Sequence, residues 1–124
     1  MSWPPELGEP LPRASEPTGI YEKLVAYCLN VNHIVGAAKA RGFQHVLEIG
    51  PGDADYLAAV LADALPDARI SQVRDNEPFG VLCEIRVPIA GLRERRERVA
   101  TVITSWELRH ALDRPRLVTA YIGG

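Results

Sequence analysis

Two side chains in the first third of the chain, His33 and Lys39, are best suited to acid–base work and to holding an anion. Imidazole exchanges protons at neutral pH, and a lysine six residues further on supplies a fixed positive charge. If His33 just precedes a helix and Lys39 lies in its first turns, the two reach one phosphate from a weakly positive helix N-terminus. The plain alternative leaves His33 as a cap or turn residue and Lys39 as a surface cation. Near the C-terminus, Thr119 and Tyr121 lie two apart and share a strand face with Leu117, while Arg116, Val118 and Ala120 take the other. Thr119 and Tyr121 could donate to a phosphate or position a sugar, and Arg116 could clamp a phosphate. Each also has an ordinary role, since threonine and tyrosine favour strands and arginine decorates edges. His45 in a helix and His110 in a turn are weaker candidates. Trp106, sharing a face with Val102, Thr104 and Leu108, suits a core better than a stacking platform.

The elements that must position these residues follow from hydrophobic periodicity. Thr18 is placed to cap a first helix from Ile20 to about Leu29, with Ile20, Leu24 and Cys28 in one stripe beside Tyr21, Val25 and Leu29. Asn30 to Val35 breaks it. A second helix is expected from Gly36 to Leu47 with Phe43 and Val46 inward, then a Gly50-Pro51-Gly52 turn. Asp53 caps a third helix through Leu65, burying Leu57, Val60, Leu61, Ala64 and Leu65 until Pro66 stops it. From Ala68 the period becomes two. Strands are expected at Arg69–Arg74, at Phe79–Val87 with Phe79, Val81, Cys83, Ile85 and Val87 on one face, at Val99–Trp106, and at Pro115–Ile122. Asp75 to Pro78, the basic stretch Gly91 to Arg98, and Glu107 to Arg114 are the turns, and the last two strands form an antiparallel hairpin. Helices first and strands afterwards predict an α+β domain, N-terminal helices packed on a four-stranded antiparallel sheet.

With 124 residues, 47% of them hydrophobic, the chain suits one domain with a real core. Residues 1–19 form a proline-rich leader expected to be extended and disordered, which leaves 20–124 as the domain. No stretch nears the roughly 18 apolar residues of a membrane span, and no signal peptide is evident, so the expected location is cytoplasmic. Cys28 and Cys83 sit in apolar runs without paired ligands, which predicts buried free thiols and no metal. The net charge is −2 but uneven: residues 1–78 hold 6 Lys+Arg against 11 Asp+Glu, and residues 79–124 hold 8 Arg against 5 Asp+Glu. The basic C-terminal part is compatible with a phosphate-binding surface, with docking of an acidic protein, or with a solvated charge mixture. Arg93, Arg95, Arg96 and Arg98 could attract nucleic acid, although Glu94 and Glu97 interleave with them.

Two resemblances bear on function. Val46-Leu47-Glu48-Ile49-Gly50-Pro51-Gly52 resembles the first motif of Rossmann-like S-adenosylmethionine-dependent methyltransferases. That fold requires a strand before the glycines and repeated strand–helix units after them, and the remaining residues read as strands with turns. The other resemblance is carried by Lys23 to His33 with Gly36 to Ala40, by Gly80 to Ile89 with Gly91, and by Thr104-Ser105-Trp106 followed by Arg114 to Tyr121. These pieces resemble an uncharacterised bacterial domain family found at the C-termini of polymorphic toxins and in short toxin–antitoxin-like gene pairs. Its helix-then-four-strand layout is similar to the Barnase-EndoU-colicin-RelE (BECR) superfamily of metal-independent ribonucleases. Two positions depart from the family's pattern: Ile34 replaces a usual proline, and Glu107 replaces a usual apolar residue, which predicts an early end to strand three.

The resemblance implies an RNA substrate, no cofactor, and a cognate antitoxin or immunity protein covering the basic sheet face. On this expectation His33, Lys39, Thr119 and Tyr121 form the catalytic set, and Arg86, Thr104 and Arg116 bind substrate. Metal-free RNA cleavage needs a base, an acid and fixed donors for the charge on phosphate, with His33 as the best base or acid. A non-catalytic interaction module is the alternative, and a methyltransferase fragment the second.

Overall fold

The computed structural model describes residues 3–123. Helices are followed by a four-stranded antiparallel sheet in the order β1-β2-β3-β4, the expected α+β arrangement. Helix α1 (Ile20–Lys23) runs on as a π-helical turn, Leu24–Cys28, marked by the Leu29 N–H donating to the Leu24 carbonyl at 2.9 Å. Helices α2 (Ala37–Leu47) and α3 (Ala54–Ala64) follow. The strands are β1 (Ile70–Asp75), β2 (Val81–Ala90), β3 (Val99–Leu108) and β4 (Arg116–Ile122).

The core lies between the helices and one face of the sheet. Leu24, Cys28, Phe43, Leu47, Leu57 and Leu61 meet the alternating Val81, Cys83, Ile85, Val87 and Ile89 of β2. Each fully buried leucine or phenylalanine contributes about 1.5–3 kcal/mol by leaving water. Trp106 fills the centre of β3, and its indole N–H donates to Thr104 Oγ1 at 2.7 Å while that hydroxyl donates to the Ile85 carbonyl at 2.8 Å. Both cysteines are free and buried, as expected. Burial pushes the Cys83 thiol up to about 11.

Several local expectations are corrected. Gly19, not Thr18, stands at the N-cap of α1; Thr18 instead extends the sheet, donating its N–H to the Pro115 carbonyl and accepting from Leu117 N–H beside β4. Phe79 belongs to the turn before β2 and is exposed, with the Arg109 guanidinium 5.2 Å from its ring centroid. Strand β3 does not end early: Glu107 stays in register, opposite both Leu82 and Arg116, and its carboxylate accepts from Arg109 Nε at 3.0 Å. The proline-rich segment, expected to be loose, buries Pro5, Leu11, Pro12 and Ala14. It lies along the rim of β1, where Gly8 N–H donates to the Ile70 carbonyl and Ile70 N–H to that of Glu9. Met1 and Ser2 of this segment are outside the described residues.

The most consequential correction concerns β4. Trp106 pairs with Leu117 and Thr104 with Ala120, so these core-side partners are three residues apart in β4 but two apart in β3. The surplus is a β-bulge at Val118–Thr119, a device that re-aims side chains. Leu117 is therefore buried in the core and does not share the face of Thr119.

The Gly-Pro-Gly segment forms the expected helix end and turn, not the strand-to-glycine turn of the methyltransferase motif. Val46 and Leu47 end a helix rather than a strand, Glu48 turns into the left-handed region at φ 54°, and Pro51–Asp53 is one 3-10 turn. The β2–β3 loop closes on this point and satisfies the helix's terminal carbonyls. Leu92 N–H donates to the Leu47 carbonyl and Arg93 Nη1 to that of Glu48, both at 2.8 Å. Arg93 also grips both carboxylate oxygens of Asp53, at 2.8 and 3.0 Å. Gly91 is required here, because a Cβ would lie 2.3 Å from the Arg95 carbonyl oxygen and 2.9 Å from that of Leu47.

Two stability predictions follow from this packing. Thr104→Val should cost about 1–3 kcal/mol, since it leaves the buried indole N–H and the Ile85 carbonyl without their partner; urea denaturation of both proteins measures it. The Arg93 guanidinium holds Asp53 below its ordinary carboxylate pKa. A carboxylate depressed on folding adds stability above its unfolded value, and the gain is lost as pH falls through the folded value. The difference in urea midpoint between wild type and Arg93→Ala should be full near neutral pH and shrink as the medium is acidified below the normal aspartate range, down to the part owed to the Arg93–Glu48 carbonyl hydrogen bond.

Candidate functional site

The N-terminus of α2, the π turn and the bulge of β4 meet at a cleft of about 580 Å³ lined by Lys23, Ala26, Tyr27, His33, Val35, Lys39, Val118 and Thr119. Each side chain arrives there for a local reason. Lys39 sits in the first turns of α2 and is half-buried. Its ammonium donates to Tyr27 Oη at 2.6 Å and to Thr119 Oγ1 at 3.0 Å. An ammonium has three N–H donors, so one remains for a ligand. The bulge makes room for two consecutive β4 side chains, Val118 and Thr119, in the cleft wall. Burial pushes the Cys28 thiol up, and Lys39 and the Thr119 hydroxyl each oppose that shift.

His33 is held by the backbone that follows it. Its carbonyl accepts from Ala37 N–H at 2.9 Å, at the start of α2. Its Nδ1 accepts from Val35 N–H at 3.1 Å and Gly36 N–H at 3.0 Å. A neutral ring with Nδ1 as acceptor carries its proton on Nε2. His33 thus serves as the turn cap that its sequence position allows while it also lines the cleft, where its Nε2–H is a donor.

The sequence-predicted residues divide. His33, Lys39 and Thr119 are brought together. Tyr121 stands at the margin, its ring centroid 5.7 Å from Lys39 Nζ. Thr104 is fully buried with its hydroxyl committed to Ile85 and Trp106, so it cannot touch a substrate. Arg86 is exposed on β2, 3.4 Å from Glu84 Oε2, and borders a different groove with Pro88 and Asp67. Arg116 lies opposite Glu107 and beside Gly19, outside the cleft lining. Arg93 is committed to Asp53 and Glu48, and His110 Nδ1 accepts from Leu112 N–H in its turn.

Sequence reasoning missed Tyr27 and Lys23 as site residues. The available signal was their spacing of four, which puts both on one side of the first helix. Lys23 Nζ lies 5.9 Å from the Tyr27 ring centroid.

Fold and cleft together define a small α+β domain with a cationic, hydroxyl-lined cleft where its helices meet the last strand. A family model described as a domain of unknown function, DUF6883, matches residues 12–124, and the chain belongs to that family. No curated protein and no solved structure matches the chain. No helix among the described residues is long and apolar enough to cross a membrane.

The His33 geometry is directly measurable. Long-range ¹H–¹⁵N NMR of the neutral protein should show His33 as the Nε2–H tautomer with an unprotonated Nδ1. Averaging between the two tautomers would mean that the backbone clasp does not hold in solution.

Proposed function

We propose that this domain is a toxin-like, metal-independent endoribonuclease of BECR type whose cleft holds the scissile phosphate. The observation that carries this reading is the charge of the lining. In a chain of net charge −2, the cleft has Lys23, Lys39 and His33 and no carboxylate among its lining residues. Three other grooves among the described residues each have an acidic side chain in their walls. An anion in the cleft meets preorganised donors, the arrangement that best stabilises charge developing on phosphorus.

In this proposal the Lys39 ammonium, held in place by the Tyr27 hydroxyl, and the Thr119 hydroxyl bind the non-bridging oxygens. His33 Nε2–H donates to the phosphate. The 2′-oxygen attacks phosphorus, its proton passing to a base, and the 5′-oxygen leaves with a proton from an acid. For His33 to be that base at Nε2, the ring must carry its proton on Nδ1, and the N–H groups of Val35 and Gly36 must turn away. The loop after His33 is then part of the chemistry. Tyr121 flanks Lys39 from outside the cleft lining. A cognate antitoxin would seat on the rim, where Ile34 is 98% exposed and Val35 64%. That apolar rim also favours the second reading, a non-catalytic interaction module.

The test is incubation of purified protein with a defined synthetic RNA in excess chelator, alongside growth of cells expressing it. Cleavage leaving 2′,3′-cyclic phosphate ends is expected. Lys39→Ala should slow it by about 100-fold or more, the usual cost of one lost charge-stabilising donor. Intact RNA after prolonged incubation, or undiminished cleavage by both Lys39→Ala and Thr119→Val, overturns the ribonuclease reading, and intact RNA leaves the interaction module in its place.

A further inference from the structure

We infer that Tyr27 is the positioning residue of this cleft, one phenol that orients both the Lys39 ammonium and the His33 imidazole. The inference rests on the phosphate-cleft reading above and adds to it a residue and a route of action. Two contacts on different sides of the ring carry it. At the hydroxyl, Tyr27 Oη accepts from Lys39 Nζ at 2.6 Å. With Nζ 4.8 Å from the ring centroid, the ammonium is at the oxygen end of the phenol rather than over its face. At the ring, Tyr27 meets His33 edge to face, centroids 4.9 Å apart and planes at 79°.

A third contact joins the two. A Cβ on Gly36 would lie 2.9 Å from Tyr27 Cδ1 and 2.4 Å from the Tyr27 carbonyl oxygen, so the backbone at Gly36 closes directly on this tyrosine. The N–H of the same Gly36 holds His33 Nδ1. The tyrosine thus backs both the ring and the backbone that clamps it. Its direction is set by the π turn, which inserts extra chain into the helix and rotates the side chains that follow, a distortion that recurs at functional sites.

The phenol also fixes what Lys39 can do. Tyr27 and Thr119 take two of three ammonium donors from opposite walls, one on the first helix and one on the last strand. A lysine side chain otherwise samples many rotamers. Held this way, its free donor has a defined place relative to His33.

Tyr27→Phe removes the acceptor and keeps the ring against His33 and Gly36. Two readouts test the inference. The first is the Lys39 ammonium ¹H–¹⁵N signal, expected in wild type because the protons are held, and expected to be lost to exchange in Tyr27→Phe. The second is cleavage: Tyr27→Phe should lower kcat by about 10- to 100-fold, the scale of a misplaced catalytic group, with KM changed less than about threefold. Added to Lys39→Ala, it should cost nothing more. A persistent ammonium signal in Tyr27→Phe, or a full additional loss in the Lys39→Ala background, overturns the positioning role. If no variant cleaves RNA but the signal still disappears in Tyr27→Phe, the positioning role stands and the ribonuclease reading falls.

Discussion

A half-buried ammonium without a carboxylate partner among the described residues is the constraint around which this domain is arranged. Lys39 leaves water on the side of α2 facing β4, and its charge is solvated there by two hydroxyls, Tyr27 and Thr119, from segments far apart in the chain. Burying a charge is costly unless it is hydrogen-bonded. The first helix, the second helix and the last strand therefore have to close at this point. The π turn and the β4 bulge, both departures from regular geometry, are the two places where the backbone adapts so that the hydroxyls arrive.

Much of the architecture was legible because it depends on period and punctuation. The switch from helical spacing to alternation at Ala68 marks the change from helices to sheet, and the Val81–Val87 alternation identifies the inward face of β2. The errors fall where tertiary contacts decide. Glu107 continues a strand that its polarity argues against, because Leu82 and Arg116 flank it in register. Pro12 and Leu11 look like loose leader until the rim of β1 offers them something to cover. Strict alternation placed Leu117 with Thr119, and one surplus residue undid that.

The site was legible in its most reactive members and not in its organisation. His33 and Lys39 stand out by residue type and by proximity to a helix start. Nothing local in the sequence says that Nδ1 will be taken by two backbone N–H groups, which limits the neutral ring to donation from Nε2. Thr104 and Arg86 were plausible from strand position alone. Burial under Trp106 removes the first, and the width of the sheet removes the second. The Val46–Gly52 string is the helix end and turn its sequence predicts, but nothing local in it announces the arginine some forty residues away that clasps it.

The bulge in β4 carries one last implication. Thr119 reaches Lys39 because the strand has one residue more than its neighbour needs between Leu117 and Ala120. The hydroxyl's place is therefore set by arithmetic as much as by chemistry. A chain shortened by that single residue could keep every core side chain and every charged group, pack as well as before, and still bring no second hydroxyl to the lysine. Relatives that align perfectly in composition but differ by one position at this spot would share the fold and not the cleft.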